Sequence, residues 1–255
     1  MIRRNRCRSW ILAFAGVAIL SPVTAGSVAA QALPDAATII RRYVEAMGGD
    51  ELRDKQGMVT EGTFSLPAMG TTGAMEVSHA RPNHLVLHMT LPGIGDLRSG
   101  FDGTVGWSLN PLEGPRVLNG NELEQVRDDA DFSATLRDAR VVESMETIDK
   151  REVEGQACYR VRIVWKSGRE TFDCYAIESG LLISTDLRTE TVMGTVDATV
   201  LFSDYREFDG VRVPTRTVQK VMGQEMVMTV DSVRFESIDP AVFELPAEIK
   251  ALVRG

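Results

Sequence analysis

The residues able to do chemistry in this 255-residue chain are few. There are three histidines, His79, His84 and His88, and three cysteines, Cys7, Cys158 and Cys174. His84 and His88 stand four apart, the spacing of two metal ligands on one helical turn. Their segment, "NHLVLHMT", alternates with period two and reads as a strand, which separates them by roughly 13 Å. No cysteine or glutamate pair completes a ligand set, so the histidines are expected as solvated side chains on strand faces. "RDDAD", with Asp128, Asp129 and Asp131, resembles part of a calcium loop but lacks its glycine and distal glutamate. It reads as the acidic, solvated end of a helix. No serine lies in a G-x-S-x-G elbow. Neither Cys158 nor Cys174 has a histidine near it in sequence.

The stretch Leu91 to Pro111, "LPGIGDLRSGFDGTVGWSLNP", holds five glycines. A phosphate-cradling loop needs a strand before it and a helix after it, so that backbone amides and the helix dipole face the anion. Here another strand pattern follows, and the loop has no lysine. Asp102-Gly103 between two alternating segments is a hairpin signal. The glycines therefore turn a chain that runs back and forth. No catalytic residue, metal or cofactor is expected.

The first thirty-two residues read as a secretory leader. "MIRRNRCRSW" is basic, "ILAFAGVAIL" is apolar but too short to span a bilayer, and small residues place cleavage after Ala30 or Ala32. Cys7 precedes the apolar run, so it is not the lipidated first residue of a mature chain. Losing the leader removes four of the 28 basic residues and none of the 36 acidic ones, which moves the net charge from −8 to −12. Such a chain is a poor partner for nucleic acid. Residues 33–255 suffice for one domain with a sizeable core.

Cys158 and Cys174 flank a hairpin, "CYRVRIVW-KSGR-ETFDCYAI". A two-residue loop at Ser167-Gly168 would send the two sulfurs to opposite faces. A loop of odd length would put them on one face, diagonal to each other. Both registers are open, so the pair is a possible disulfide.

What must position any site is mostly β. "LPDAATIIRRYVEAMGGDEL" predicts a helix over 34–48, with Ile39, Ile40, Tyr43, Val44 and Met47 on one face, Asp35 as N-cap and Gly48 as stop. A second helical segment covers 119–139. The remainder alternates with period two between Gly, Pro, Asn and Asp turns, which gives about ten or eleven strands joined as antiparallel hairpins. Leu85, Leu87 and Met89 share a strand face, as do Val196, Ala198, Val200 and Phe202, and Met226, Met228 and Val230. Methionine adapts to irregular apolar ligands. A large sheet with few helices to cover it closes into a barrel or leaves a groove.

Several motifs run in an order that resembles the LolA-like family, the outer-membrane lipoprotein-sorting proteins. They are "IIRRYVEAMGGDELRDK", "FDGTVGW" at 101–107, "YRVRIVWKSGRE" with "YAIESGLLIS", "DYREFDGVRVP" at 204–214 and "IDPAVFELP" at 238–246. The resemblance covers essentially all of the chain after the leader. It implies a mainly β (α+β) fold: a strongly curved antiparallel sheet or incomplete β-barrel, with helices as a lid over an apolar cavity. It also implies a soluble, unlipidated, monomeric carrier that moves acyl chains of lipids or lipoproteins through the periplasm, exchanging them with inner- and outer-membrane transfer proteins. The candidate cavity and lid residues are Ile40, Tyr43, Val44, Met47, Leu85, Leu87, Met89, Trp107, Val200, Phe202, Met226 and Met228. Two other readings are an envelope sensor with a protein partner and a secreted enzyme with an unrecognised site.

Overall fold

The structure, a computed structural model, describes residues 32–191 and 194–254. The expected leader, with Cys7, lies outside the described residues except for Ala32. The chain opens with α1 (Ala36–Ala46) and α2 (Gly49–Asp54). Six strands follow: β1 (Gly57–Leu66), β2 (Thr71–Ala80), β3 (His84–Leu91), β4 (Gly95–Phe101), β5 (Gly106–Asn110) and β6 (Gly114–Val117). Two helices, α3 (Gly120–Ala130) and α4 (Phe132–Thr135), interrupt the strands. Then come β7 (Val142–Val153), β8 (Gln156–Trp165), β9 (Glu170–Ala176), β10 (Leu182–Thr191), β11 (Gly194–Phe208), β12 (Val211–Val221) and β13 (Gln224–Arg234), and last α5 (Ala247–Arg254).

All thirteen strands belong to one sheet, in the order β6-β5-β4-β3-β2-β1-β13-β12-β11-β10-β9-β8-β7. Every neighbour runs antiparallel, and β6 and β7 are its two unpaired edges, so the curved sheet is not closed. The alternation in sequence predicts about ten or eleven strands, against these thirteen. Neither edge is among the strands it picks out; one is short and the other rich in charge, which is how edge strands avoid pairing with other chains. The helical segment at 119–139 is broken in two at Asp131, whose backbone is extended.

Cross-strand pairing assigns the two faces. The helices α1 to α4 cover the inner face. Ile39, Ile40 and Tyr43 of α1, and Met47 just after it, are buried there against Val161, Ile163, Trp165, Tyr175 and Leu182. Gly48 ends α1 in the left-handed region, φ 75°. Asp35 holds the N-cap position, but its backbone carbonyl rather than its side chain accepts from Thr38 and Ile39. A second inner cluster gathers Phe64, Met75, Met89 and Val230, with Leu87 and Met226 packed on it. Phe64 pairs with Gly73, and a Cβ there would stand 2.7 Å from the ring. On the outer face Val86, Trp107, Phe243 and Ile249 form a separate cluster under the C-terminal segment.

The amide of Trp165 donates to the carbonyl of Arg169 at 2.9 Å, so the β8–β9 hairpin closes over three residues, 166–168, an odd loop. Cys158 pairs with Ala176 and Arg160 with Cys174, and the two cysteines are joined diagonally by a disulfide with Cα atoms 5.6 Å apart. The glycine-rich stretch is a pair of turns, as its pattern predicts. Between β4 and β5, Asp102 accepts from the backbone amides of Thr104 and Val105 at 2.8 and 2.7 Å, and Gly103 takes φ 96°.

Candidate functional site

The helices do not fill the space they cover. Beneath them lies a cavity of about 640 Å³. Its roof is Tyr43 from α1, Met47 just after it, Leu52 from α2, and Phe132 and Ala134 from α4. Its floor is the inner face of the sheet, including Met58, Val77, Val200, Phe202 and Met228. Thus Tyr43, Met47, Val200, Phe202 and Met228, singled out in the sequence, meet around one space.

The other candidates sit elsewhere. Ile40 is buried in the α1 contact with the sheet, and Val44 packs at the α1–α2 corner, close to Gly49. Leu87, Met89 and Met226 belong to the second inner cluster, beyond the cavity wall. Leu85 pairs with His79 and Phe101 at the far end of β3 and does not line the cavity. Trp107 corrects the expectation outright. It is fully buried on the opposite face, laid across Gly100, where a Cβ would stand 3.0 Å from the indole.

The cavity wall carries a polar cluster that the sequence reading missed. Asp173 is wholly buried and ion-paired with Arg137, whose Nη2 is 2.6 Å from Oδ2. Tyr175 donates to the same oxygen at 2.8 Å, and Thr185 donates to Oδ1 at 2.9 Å. Arg137 Nη1 donates to the carbonyls of Ala134 and Thr135, which ties the end of α4 to the sheet. Its guanidinium also faces the rings of Trp165 and Tyr43 at 5.5 and 5.8 Å. Burial works against the Arg137 charge, but the Asp173 carboxylate overcomes it and holds the guanidinium well above its ordinary pKa. Burial pushes the phenols of Tyr43, Tyr175 and Tyr205 upward, so all three remain protonated. Asp173 could have been suspected. It lies in the apolar run "TFDCYAI" on the face shared by Thr171 and Tyr175. Arg137, in "TLRDAR", follows no pattern.

Two further residues depart from expectation. His79 is buried rather than solvated. It follows Met75 and Val77 on the inner face, stacks on Phe132 with ring centres 4.3 Å apart, and its Nε2 meets the carbonyl of Ala130 at 2.5 Å. The Arg81 guanidinium also stands over the Phe132 ring, at 5.0 Å. Burial lowers the His79 pKa, so the ring is neutral and Nε2 donates to that carbonyl. Asp128 is likewise not a solvated helix end. It accepts from Ser167 at 2.7 Å and pairs with Arg169 at 3.2 Å, docking α3 on the β8–β9 loop. Asp129 beside it is exposed and pairs with Arg169 at 3.3 Å.

The architecture is a helix-roofed apolar space on one face of an open sheet. No family model matches the sequence, and neither does any curated protein. Solved structures do match. A LolA superfamily protein from Nitrosomonas europaea superposes with a TM-score of 0.56 at 12% identity, over 84% of this chain and 99% of its own. A DUF1329 family protein from Desulfovibrio piger gives 0.57 at 14% identity, over 82% and 96%. An outer membrane lipoprotein-sorting protein domain from Vibrio parahaemolyticus gives 0.52 at 9%, over 85% and 100%. Identities this low speak to the fold alone, and that fold is LolA-like.

Proposed function

We propose that the protein is an exported carrier that holds acyl chains of lipids or lipoproteins in this cavity and conveys them through the periplasm toward the outer membrane. The observation that carries the reading is the space of about 640 Å³ between apolar helix residues and apolar strand residues on a LolA-like frame. Each buried methylene contributes about 0.8 kcal/mol. Six to eight methylenes then supply roughly 5–6 kcal/mol before the cost of association. Cargo leaves when the roof moves or a competing site takes it, because a carrier must favour the loaded state only conditionally.

The reading is of binding rather than turnover. Asp173, Arg137, Tyr175 and Thr185 are spent on one another and on backbone, and they present a charge-balanced wall to the cargo. The protein acts as an unlipidated monomer, with inner- and outer-membrane transfer proteins as its exchange partners. No helix among the described residues is long and apolar enough to cross a membrane.

A fluorescent fatty-acyl probe and native mass spectrometry of protein from a periplasmic fraction test this. The wild type is expected to carry co-purified acyl species and to bind the probe. Val200→Trp, which fills the floor of the cavity, should weaken probe binding at least about tenfold, or about 1.4 kcal/mol, with unchanged circular dichroism. A wild type that neither carries acyl species nor binds the probe would overturn the carrier reading.

A further inference from the structure

Antiparallel strands joined in sequence place their turns alternately at two rims of the sheet. One rim holds the turns at 81–83, 102–105, 154–155, 177–181 and 209–210. Each contains a charged residue: Arg81, Asp102, Glu154, Glu178 and Asp209. The other rim holds the turns at 67–70, 92–94, 111–113 and 222–223. Their residues are Pro-Ala-Met-Gly, Pro-Gly-Ile, Pro-Leu-Glu and Met-Gly, with Glu113 the single charge. A charged turn at 166–169 also lies on this rim, and it is fastened to α3 through Asp128 and Asp129.

Leu112 at 79%, Met69 at 63% and Met222 at 55% are the three most exposed large hydrophobic side chains among the described residues, and all three stand on the second rim. The backbone does not ask for them. Met222 sits at φ 50°, in the left-handed region where asparagine or aspartate is the cheaper choice. No neighbour packs on these tips either, since a Cβ added at Gly70, Gly93, Gly114 or Gly223 would meet nothing within 4 Å.

We propose that this rim is a membrane-docking edge, with Met69, Ile94, Leu112 and Met222 entering the boundary between headgroups and acyl chains of a bilayer side by side. The spacing selects this occupant. Successive tips are two strands apart, about 10 Å, and each presents one apolar side chain. At roughly 100 Å² apiece they fall well short of the ~800 Å² that a stable protein interface takes from each partner. A bilayer needs no facing relief and admits each side chain separately. The near absence of charge on the tips, in a chain of net charge −8, makes the attraction apolar and independent of anionic lipid. The partly buried Leu66, Leu91, Leu97 and Met226 carry the apolar surface of the inner face from its second cluster down to these turns.

Flotation with vesicles of phosphatidylcholine and phosphatidylethanolamine tests the proposal without requiring a loaded cavity. The wild type is expected to float with the vesicles equally at low and high salt. The triple variant Met69→Ser, Leu112→Ser, Met222→Asn should lose at least about tenfold in partitioning, while keeping its circular dichroism and its acyl-probe binding. Glu154→Gln with Asp209→Asn on the opposite rim should change nothing. A wild type that stays with the unbound fraction, or a triple variant that floats as well as the wild type, would overturn it. Probe binding is read separately, so loss of the docking edge and loss of the carrier reading are distinct results.

Discussion

Glu154-Gly155, Asp209-Gly210 and Met222-Gly223 are three turns with one backbone, φ near 48° and 78°, 45° and 81°, 50° and 76° in turn. The first two belong to the rim of charged turns and the third to the rim of apolar ones. Geometry therefore does not decide which side chain leads the turn. The charged rim is where helices are attached. Gly48 at the end of α1 lies so close to Gly210 that a Cβ would stand 2.0 Å from its carbonyl oxygen, and Arg212 donates its amide to the carbonyl of Met47 at 2.9 Å. Arg42 donates to the carbonyl of Glu178 at 2.6 Å, and Arg81 donates to the carbonyls of Lys55 and Leu52 at 2.8 and 3.2 Å. At the apolar rim the turn glycines Gly70, Gly93 and Gly223 face open space, as Gly155 does on the charged rim. One end of the sheet is fastened to α1 and α2; at the other the 166–169 turn is tied to α3, while the 67–70, 92–94 and 222–223 turns stand clear.

The sharpest way to break this contrast is to remove the fastening. Arg137→Ala leaves Asp173 buried and unpaired and should cost about 3–5 kcal/mol in urea unfolding. Exposed tip variants such as Leu112→Ser should stay within about 0.5 kcal/mol of wild type. Next in size is a pair of glycine substitutions at nearly equal φ. Gly48→Ala meets the Gly210 backbone as well as left-handed strain and should cost roughly 2–4 kcal/mol. Gly223→Ala has only the strain, about 1 kcal/mol. Equal losses would mean that the fastened corner is not tight.

A third effect follows from His79. Its folded pKa is depressed by burial, with the Ala130 carbonyl and Asp131 acting the other way and Arg81 reinforcing the depression. The unfolded chain therefore takes up the proton first as pH falls below about 6.5. The stability present above that pH is lost on acidification, and α3 and α4 are expected to loosen as it goes. Thermal unfolding of wild type at neutral and mildly acidic pH should show the fall, and His79→Gln should flatten it. A slope retained in that variant would assign the effect to another group. The smallest effect has the opposite sign. Met222→Asn should stabilise the fold by roughly 0.5–1 kcal/mol, because asparagine tolerates the left-handed turn, while weakening vesicle binding. A substitution that improves the fold and impairs docking would separate the two uses of the turn.

Most of the fold was legible because period-two alternation survives wherever one strand face is buried. It failed at β6 and β7, which have a neighbour on one side only and carry Pro115 and a row of charges. The cavity was half legible. Parity places Val200, Phe202 and Met228 on the inner face, and helical periodicity places Tyr43 and Met47 opposite them. Parity cannot tell which part of a face is roofed, so Leu87, Met89 and Met226 share the face without lining the space. Trp107 misled because an aromatic residue in a hairpin is as ready to pack outward, here beneath α5. Composition hid the buried polar groups. Asp173 and His79 look like surface residues until the partners that satisfy them, Arg137 and the Ala130 carbonyl, arrive from a helical segment more than thirty-five residues away in sequence.

The unclosed sheet has a consequence for copies of the protein meeting in solution. Two free edges offer unpaired backbone groups on which another molecule could continue the sheet, the ordinary route to strand-by-strand polymerisation. β6 is four residues long and interrupted by Pro115, which has no amide to give. β7 is long enough to recruit a partner, but its register with β8 shifts twice, near Val142 and again near Thr147, and it carries Glu143, Glu146, Asp149, Lys150, Arg151 and Glu152. A barrel would have removed both edges by closing, and would also have fixed the width of the space inside it. Keeping the sheet open leaves that width adjustable, and the bulged, charged margins disfavour strand-by-strand growth from its edges.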